Sequence, residues 1–502
     1  MWTQRPAYVS APTALLLLFL AAESSWAQDA QIPEWLYGGE SAPPVDQPPP
    51  TLETTTDERR TTIAVGYGTQ QKDQLGRAAA TKNKEILQTG GGRLDYALQG
   101  KIPGLNLTSN SGDPTNTVGI HIRGLGAPGR YSEPLFVIDG VVVDKELFLA
   151  LNPDEIDNIH VLKGASAASA YGYRSANGVI VVTTRRGSTG TPKLTFSVEQ
   201  RYNQPIIPWE AMTTGEFAKF TRLYYGETDE VGTVDTADYP NWINDPGVLR
   251  TNTNWVDEVF RNSLTQSYSA TLAGGGEHAT FLLAGSYLKE NSTFRATGRE
   301  KVSLRVNSRI GKGPLTVGEV LSLNRIESSN RRNPREFGLR YLLNMAPTIP
   351  VYQEDGPNGY GYPADSISGQ FSEGNPIAII ERTKQLACHY LLYGKINTQL
   401  ELPVGFALNG ALGLTILSGQ EDTYNDAIDQ GASNSTRSSA IQSVSGLSRV
   451  LTPEAFLRYD VENSLHDISA LVGASATMCD GKSLAASAEH LPAGTKSIAA
   501  GS

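Results

Sequence analysis

The residues that could do chemistry are few and scattered. Six histidines (His121, His160, His278, His389, His466 and His490) include no pair four residues apart, the spacing that sets two imidazoles on one helical face for a metal. The two cysteines, Cys388 and Cys479, form no short-range ligand pair, and no Gly-x-Ser-x-Gly elbow occurs to present a nucleophile. Gly124-Leu-Gly126-Ala-Pro-Gly129 matches the dinucleotide-binding string and follows a β-prone run. That string needs a helix directly behind it, so that a pyrophosphate can sit on the helix N-terminus. Here Pro128 and Pro134 interrupt, and Leu135 opens another β-prone run, so the glycines are read as a turn. No catalytic group, metal ligand or cofactor site is expected. The net charge of −10 argues against nucleic acid as a partner.

What the chain must position is a compact module between Ile120 and Gly187. Short β-type runs at Ile120–Arg123, Leu135–Ile138, Val141–Val143, Ile159–Leu162 and Val179–Thr183 alternate with turn chemistry. Asp139-Gly140 between two β-branched runs predicts a hairpin, because a two-residue primed turn needs φ > 0. Asn152-Pro153-Asp154-Glu155 reads as N-cap, N1 proline and acidic first turn of a short helix. Ala165–Ala170 is expected as a small-residue helix stopping near Gly172. Upstream, Arg93–Gln99 has helical spacing and ends at Gly100, and Pro103-Gly104 turns the chain into a strand at Leu105–Thr108. The whole reads as an α+β module.

The N-terminus carries export chemistry. Arg5, the apolar run Ala14–Ala22 and Ser25-Trp26-Ala27 form a signal peptide over residues 1–27, with the mature chain expected to begin at Gln28. Residues 28–60 are a proline-rich, acidic linker that cannot bury a core. Thr61-Thr62-Ile63-Ala64-Val65-Gly66-Tyr67-Gly68 follows, a short β-prone run suited to strand addition onto a partner's sheet edge. Its other reading is the first strand of the module.

After Gly187 the texture changes. In Lys193–Tyr202, Leu194, Phe196, Val198 and Tyr202 share one face. In Glu300–Ile310, Val302, Leu304, Val306 and Ile310 oppose Lys301, Ser303, Arg305, Asn307 and Arg309. Leu392–Leu402 and Phe406–Ile416 repeat the pattern, and Gly274–Glu277 and Gly311–Gly313 supply short turns. Period-two alternation over ten or more residues is the pattern of a membrane-spanning β-barrel, apolar to lipid and polar to the lumen. Hydrophobic content of 39% and mean hydropathy of −0.28 agree with alternating faces. About nine strands are expected, the last near His466–Ala476, followed by a small-residue, loop-like tail from Ser483. Large plugged transporters have about 22 strands, and lipid does not tolerate open strand edges. The chain is therefore expected to be a fragment of a longer protein.

The order IRG (Ile122-Arg123-Gly124), LFVIDG (Leu135–Gly140), then NPDEIDNIHVLKGASAASAYGYRSANGVIVVTTRRG (Asn152–Gly187) resembles the plug of the SusC/RagA family of TonB-dependent outer-membrane receptors. The resemblance implies an α+β plug domain at 69–187, followed by an antiparallel transmembrane β-barrel at 190–502. It implies a bacterial outer-membrane location and a TonB box at 61–68, with Thr61, Thr62, Ile63, Ala64 and Val65 meeting the energy transducer TonB. It marks Arg123, Gly124, Asp139, Gly140, Lys163, Gly164, Tyr171, Gly172, Asn177 and Gly178 as plug motif residues. It implies import of an oligosaccharide or peptide with a SusD-like surface lipoprotein. A signal-transducing receptor and a secreted glycan-binding protein are the alternatives, and no enzyme activity is expected. In the longer loops, Trp209, Tyr239, Trp242, Tyr360 and Tyr362 are substrate-contact candidates. The other reading of these rings is loop packing or the interfacial aromatic belt.

Overall fold

The structure, a computed structural model, describes residues 62–65, 68–71, 78–82, 92–109, 114–115, 118–124, 132–163, 169–224, 241–329, 342, 344–362, 375–427, 438–462 and 467–491. The expected signal peptide and linker lie outside them, as do Thr61, Gly164 and Tyr239.

The first described elements are a two-stranded ribbon, β1 (Thr62–Val65) and β2 (Gly68–Gln71). The module then assembles from β3 (Ala78–Lys82), α1 (Leu94–Leu98), β4 (Leu105–Thr108), β5 (Gly119–Ile122), β6 (Leu135–Ile138) and β7 (Val141–Val143). α2 (Lys145–Ala150), β8 (Ile156–Leu162) and β9 (Val179–Thr184) complete it. Its sheet has five strands in the order β3-β8-β9-β6-β7, and β6 runs parallel to β9. β6 and β9 are buried on both faces, which is why they read as unbroken apolar runs rather than as alternation. Phe148 of α2 is fully buried and stacks on Phe136 at 4.7 Å.

Local expectations hold here. Ile138 pairs with Val141 across the Asp139-Gly140 turn, whose φ values of 47° and 85° are both left-handed. The Asn152 side chain accepts from the Asp154 N–H at 3.0 Å, capping a single 3-10 turn at Pro153–Glu155. The expected helix at Ala165–Ala170 is corrected in part. Residues 164–168 lie outside the described set, and a 3-10 segment, Ser169–Ser175, follows with a break at Gly172. It runs past Gly172 because Ser175 caps back onto the Gly172 carbonyl at 2.6 Å.

The second sheet is antiparallel: β10 (Gly190–Asn203), β11 (Ser263–Gly275), β12 (Ala279–Asn291), β13 (Gly298–Lys312), β14 (Leu315–Ser329), β15 (Thr383–Glu401), β16 (Phe406–Asn425), β17 (Ala440–Glu462), β18 (Asp467–Ser475) and β19 (Met478–Glu489). Both β18 and β19 pair with β17, one along Glu454–Glu462 and the other along Ala440–Leu451. They are two halves of one strand position, interrupted opposite Thr452 and Pro453. Proline has no N–H to donate, so the ladder breaks beside it. Nine strand positions result, matching the expected number. The loop-like tail expected from Ser483 is corrected, because Ser483–Glu489 belong to β19. Its alanines and serines differ too little in polarity to show alternation.

This sheet is inside-out. Along β13, Lys301, Ser303, Arg305 and Asn307 are buried while Val302 and Leu304 are 47% and 43% exposed. The module fills the concave side, so the polar face is the covered one, and the apolar face is left for lipid. The first and last strand positions are not hydrogen-bonded to each other, so the barrel is open among the described residues.

At the end opposite the short turns, two long loops join into a cap with its own core. These loops hold α3 (Thr214–Tyr224), α4 (Pro246–Leu249), α5 (Trp255–Val259) and α6 (Pro376–Arg382); α3, α5 and α6 contribute Phe217, Trp255, Val259 and Ile377 to the core, and Trp242 and Ile349 join it from the segments between helices. Trp255 Nε1 donates to the Ala346 carbonyl at 3.0 Å, and Thr253 Oγ1 to Ile349 O at 2.7 Å, tying the loops together.

Candidate functional site

The seam between module and sheet is built from donors on the sheet and acceptors on the module. Arg305 of β13 donates from Nε to Glu155 Oε2 at 2.8 Å, and its Nη1 lies 3.8 Å from Asp139 Oδ2. Lys301, four residues before it on the same face, donates to Ala150 O at 3.2 Å and Gly92 O at 3.5 Å. From β15, Tyr393 donates its hydroxyl to Ile138 O at 2.9 Å, and Lys395 its ammonium to Asp139 O at 2.9 Å. Ser269 of β11 donates to Asp154 Oδ2 at 2.6 Å.

The Asp139-Gly140 turn is the hub of this clamp. The Asp139 carboxylate also accepts from Thr184 N at 3.0 Å and Thr184 Oγ1 at 2.8 Å, so the turn is fixed to β9 before the sheet grips it. A Cβ on Gly140 would stand 2.9 Å from Lys395 Nζ and push that ammonium aside, while the φ of 85° is what calls for glycine. Leu391 and Tyr393 are apolar residues on the lumen side, against the expected polarity of that face. They are buried because they back directly onto the module's core.

On the side of the module toward the cap lies a cavity of about 570 Å³. Arg93, Asp95, Lys145 and Leu149 form its module side, and Arg299, Ile326, His389, Leu391 and Leu417 its sheet side. Arg93 Nε donates to Asp95 Oδ1 at 2.9 Å, Nη1 donates to Pro114 O at 3.0 Å, and the guanidinium lies 4.3 Å over the Tyr96 ring. Burial pushes the Asp95 carboxyl up, but the hydrogen bond and charge of Arg93 more than offset this and hold it below the usual carboxylate range. The cavity thus has a fixed, ionised floor and a mixed polar and aliphatic wall.

The remaining motif residues are structural. Arg123 has a left-handed φ of 61°, and its N–H donates to Gly104 O at 2.9 Å; its side chain and Gly124 are exposed. Lys163 donates to Pro103 O. Burial, then the nearby Arg123, push its ammonium down. Asn177 donates to Glu133 O at 3.3 Å. Gly178 must be glycine, since a Cβ there would meet Leu162 O at 2.9 Å. Tyr171 packs on the apolar cluster of β6 and β9. Gly172 is the break described above. Thr62, Ile63, Ala64 and Val65 form β1, whose strand partner among the described residues is β2.

The loop aromatics divide. Trp242 is 3% exposed and stacks on Phe217 at 5.5 Å, so it is core of the cap and not a substrate contact. Trp209 is 37% exposed and Tyr362 half-buried. Tyr360 donates to Glu381 Oε2 at 2.9 Å, while Tyr352 and Arg295 donate to Glu381 Oε1 at 3.0 and 2.9 Å. Burial, then the hydrogen bond to Glu381, push the Tyr360 hydroxyl up to about 12. Sequence reasoning missed Glu155, Arg305, Lys301, Tyr393, Lys395, Arg93 and Asp95. The alternation along β13 signalled inward cations, but nothing local pointed to their partners.

A mixed α+β module seated against the polar face of an inside-out antiparallel sheet defines a plugged outer-membrane β-barrel. A family model of the TonB-dependent receptor plug domain matches residues 70–179. The chain is 29% identical over 331 residues to TonB-dependent receptor P26 of Formosa agariphila, covering 65% of this chain and 32% of the relative. It is 25% identical over 337 residues to TonB-dependent receptor SusC of Bacteroides thetaiotaomicron, covering 63% and 32%. The fold matches the RagAB peptide importer in its open-open state with a TM-score of 0.69 at 20% identity, over 86% of this chain and 50% of that one. The resemblance to SusC/RagA-type TonB-dependent receptors is thereby shown, and the module is the plug. The chain spans about a third of the length of the curated relatives it matches. Those relatives are receptors rather than enzymes, and the plug-and-barrel fold belongs to the bacterial outer membrane.

Proposed function

We propose that this chain is the plug and the first part of the barrel of a TonB-dependent importer. It moves an oligosaccharide or peptide across the outer membrane together with a SusD-like surface lipoprotein. The observation that carries this reading is the polar seam. A plug held largely by hydrogen bonds and ion pairs to a hydrophilic wall leaves mostly by rehydration, exposing apolar surface only around Val320, Ile326, Leu391 and Tyr393. The cavity between plug and barrel wall is where a substrate would rest before the plug yields. Likeness to the RagAB peptide importer supports import as the outcome.

Coupling would run through residues 61–68. Strand addition by TonB needs a free backbone edge on β1, which pairs on its other side with β2. The test is a full-length receptor carrying this segment, assayed in parallel for labelled-substrate binding and uptake. Thr62→Pro and Ala64→Pro each remove one N–H from the edge that faces away from β2 and lock φ, so uptake should fall to background while surface binding persists. Uptake at the parental rate with both prolines present would show that this run does not meet TonB, leaving it as a plug strand.

A further inference from the structure

We propose that the outward face of α3, with the segment leading into it, is an interfacial anchor that seats the loop cap on the lipid of the outer leaflet. This rests on the outer-membrane reading of the barrel. The first observation is one of parity. Along β10, much of which is exposed on both faces, the even-numbered side chains Leu194, Phe196, Val198 and Tyr202 are the apolar ones, and register carries Val198 through Tyr268 and Tyr287 to Val302 on the lipid face. The alternation does not stop at the last paired residue, Asn203. Ile206 is 93% exposed while its neighbour Ile207 packs on the cap core. The chain therefore leaves the barrel with its lipid-side parity intact.

The second observation is that α3 carries two apolar faces and the cap uses one. Phe217, Ala218 and Thr221 point into the cap core, whereas Phe220, Leu223 and Tyr224 are 42%, 55% and 58% exposed. Phe220 and Tyr224 stack on each other at 6.5 Å, which presets an apolar ridge. Trp209 and Met212, 37% and 51% exposed, lie on the segment between the β10 stripe and this ridge. Aromatic and aliphatic side chains on one helical face, flanked by cations, are what a helix lying in the headgroup region presents. Lys219 and Arg222 supply the cations. The helix's one acid, Glu216, is turned back to accept from Thr213 N at 2.9 Å and Thr213 Oγ1 at 2.8 Å. It stands at the N-terminal end of the ridge face, where its carboxylate is tied to Thr213 and caps the helix.

The test uses a full-length receptor carrying this chain, with Cys388→Ser and Cys479→Ser, in vesicles of phosphatidylethanolamine and phosphatidylglycerol. Nitroxide labels go on Leu223→Cys, Tyr224→Cys, Phe196→Cys and Asp355→Cys, one at a time. Collision with oxygen, which concentrates in lipid, is compared with collision with a water-soluble nickel chelate. Phe196 should favour oxygen strongly, Leu223 and Tyr224 should favour oxygen at a shallower depth, and the exposed Asp355 should favour nickel. If Phe196 favours oxygen while Leu223 and Tyr224 behave like Asp355, the anchor is overturned and the barrel reading stands. If Phe196 also favours nickel, the barrel reading itself fails. Labels at Leu223 and Tyr224 that become protected only when a surface lipoprotein is added would identify the ridge as a protein interface and overturn the lipid anchor.

Discussion

The plug and the barrel wall bury opposite things. In the plug, Val137, Val179, Val181 and Phe148 are at most 1% exposed and the interior is apolar. In the wall, Lys301 and Arg305 are at most 2% exposed, while Val302 and Leu304 are left out. Apolar burial is non-directional and holds whatever shape packs. Polar burial is stable only when each group meets its own partner, and here the partners are plug carbonyls and carboxylates. The plug interior thus rests on apolar packing, which continues onto Val320, Ile326, Leu391 and Tyr393 of the wall, whereas the rest of the attachment rests on specific polar partners.

The largest expected effect breaks that attachment. Arg305→Met removes the cation between Glu155 and Asp139 and leaves buried carboxylate uncompensated. Plug docking should weaken by about 3–5 kcal/mol, read as faster limited proteolysis of the plug in an otherwise intact receptor. Arg305→Met with Glu155→Leu should recover much of the loss, since a buried pair replaced by apolar groups is often neutral. If Arg305→Met alone is silent, the seam is held by packing, as the plug interior is, and the contrast fails. Next is the outer face. Leu304→Arg would be nearly neutral on a soluble surface. On a lipid face it should cost about 2–4 kcal/mol near the bilayer midplane. The readout is the fraction of receptor that keeps the detergent-resistant folded barrel. Smaller again is the hub turn. Gly140→Val at a φ of 85° should cost about 1–3 kcal/mol. The loss should appear as a lower thermal midpoint of the plug, and an unchanged midpoint would show that the turn relaxes.

What was legible in the chain follows the range of the interaction that decides it. The Asp139-Gly140 hairpin, the Asn152 cap and the β13 alternation depend on neighbours a few residues away, and all three were read correctly. The partnership of Arg305 with Glu155 spans 150 residues, and that of Tyr393 with Ile138 spans 255. No periodicity encodes such pairings. Leu391 and Tyr393 show the same limit, because an apolar residue on a lumen face makes sense only once the plug behind it is known. Trp242 was misplaced for a related reason. A loop aromatic looks free in sequence, but two loops distant in the chain build a core around it. The β19 strand was missed on different grounds, since alanine and serine carry almost no contrast between the faces.

The smallest expected effect concerns the floor of the cavity, where plug and wall meet in one cluster. Asp95 belongs to the plug, and Arg93 beside it also faces Glu290 of β12 at 3.9 Å. Because Arg93 holds the Asp95 carboxyl below its ordinary value, the folded state binds that proton more weakly than the unfolded chain. The stabilisation is therefore complete above the unfolded carboxylate pKa of about 3.9 and is lost as pH falls through the lower folded value. Asp95→Asn keeps the shape and removes the charge, so it should cost about 1.5 kcal/mol at neutral pH. The difference between parent and variant should stay flat from pH 7 down to about pH 4 and narrow below that. Thermal melts of both proteins across this range measure it directly. A gap that narrows already between pH 7 and 5 would mean that Asp95 is not held ionised by Arg93. The floor would then be stabilised by shape, as the plug interior is, and not by paired charge, as the seam is.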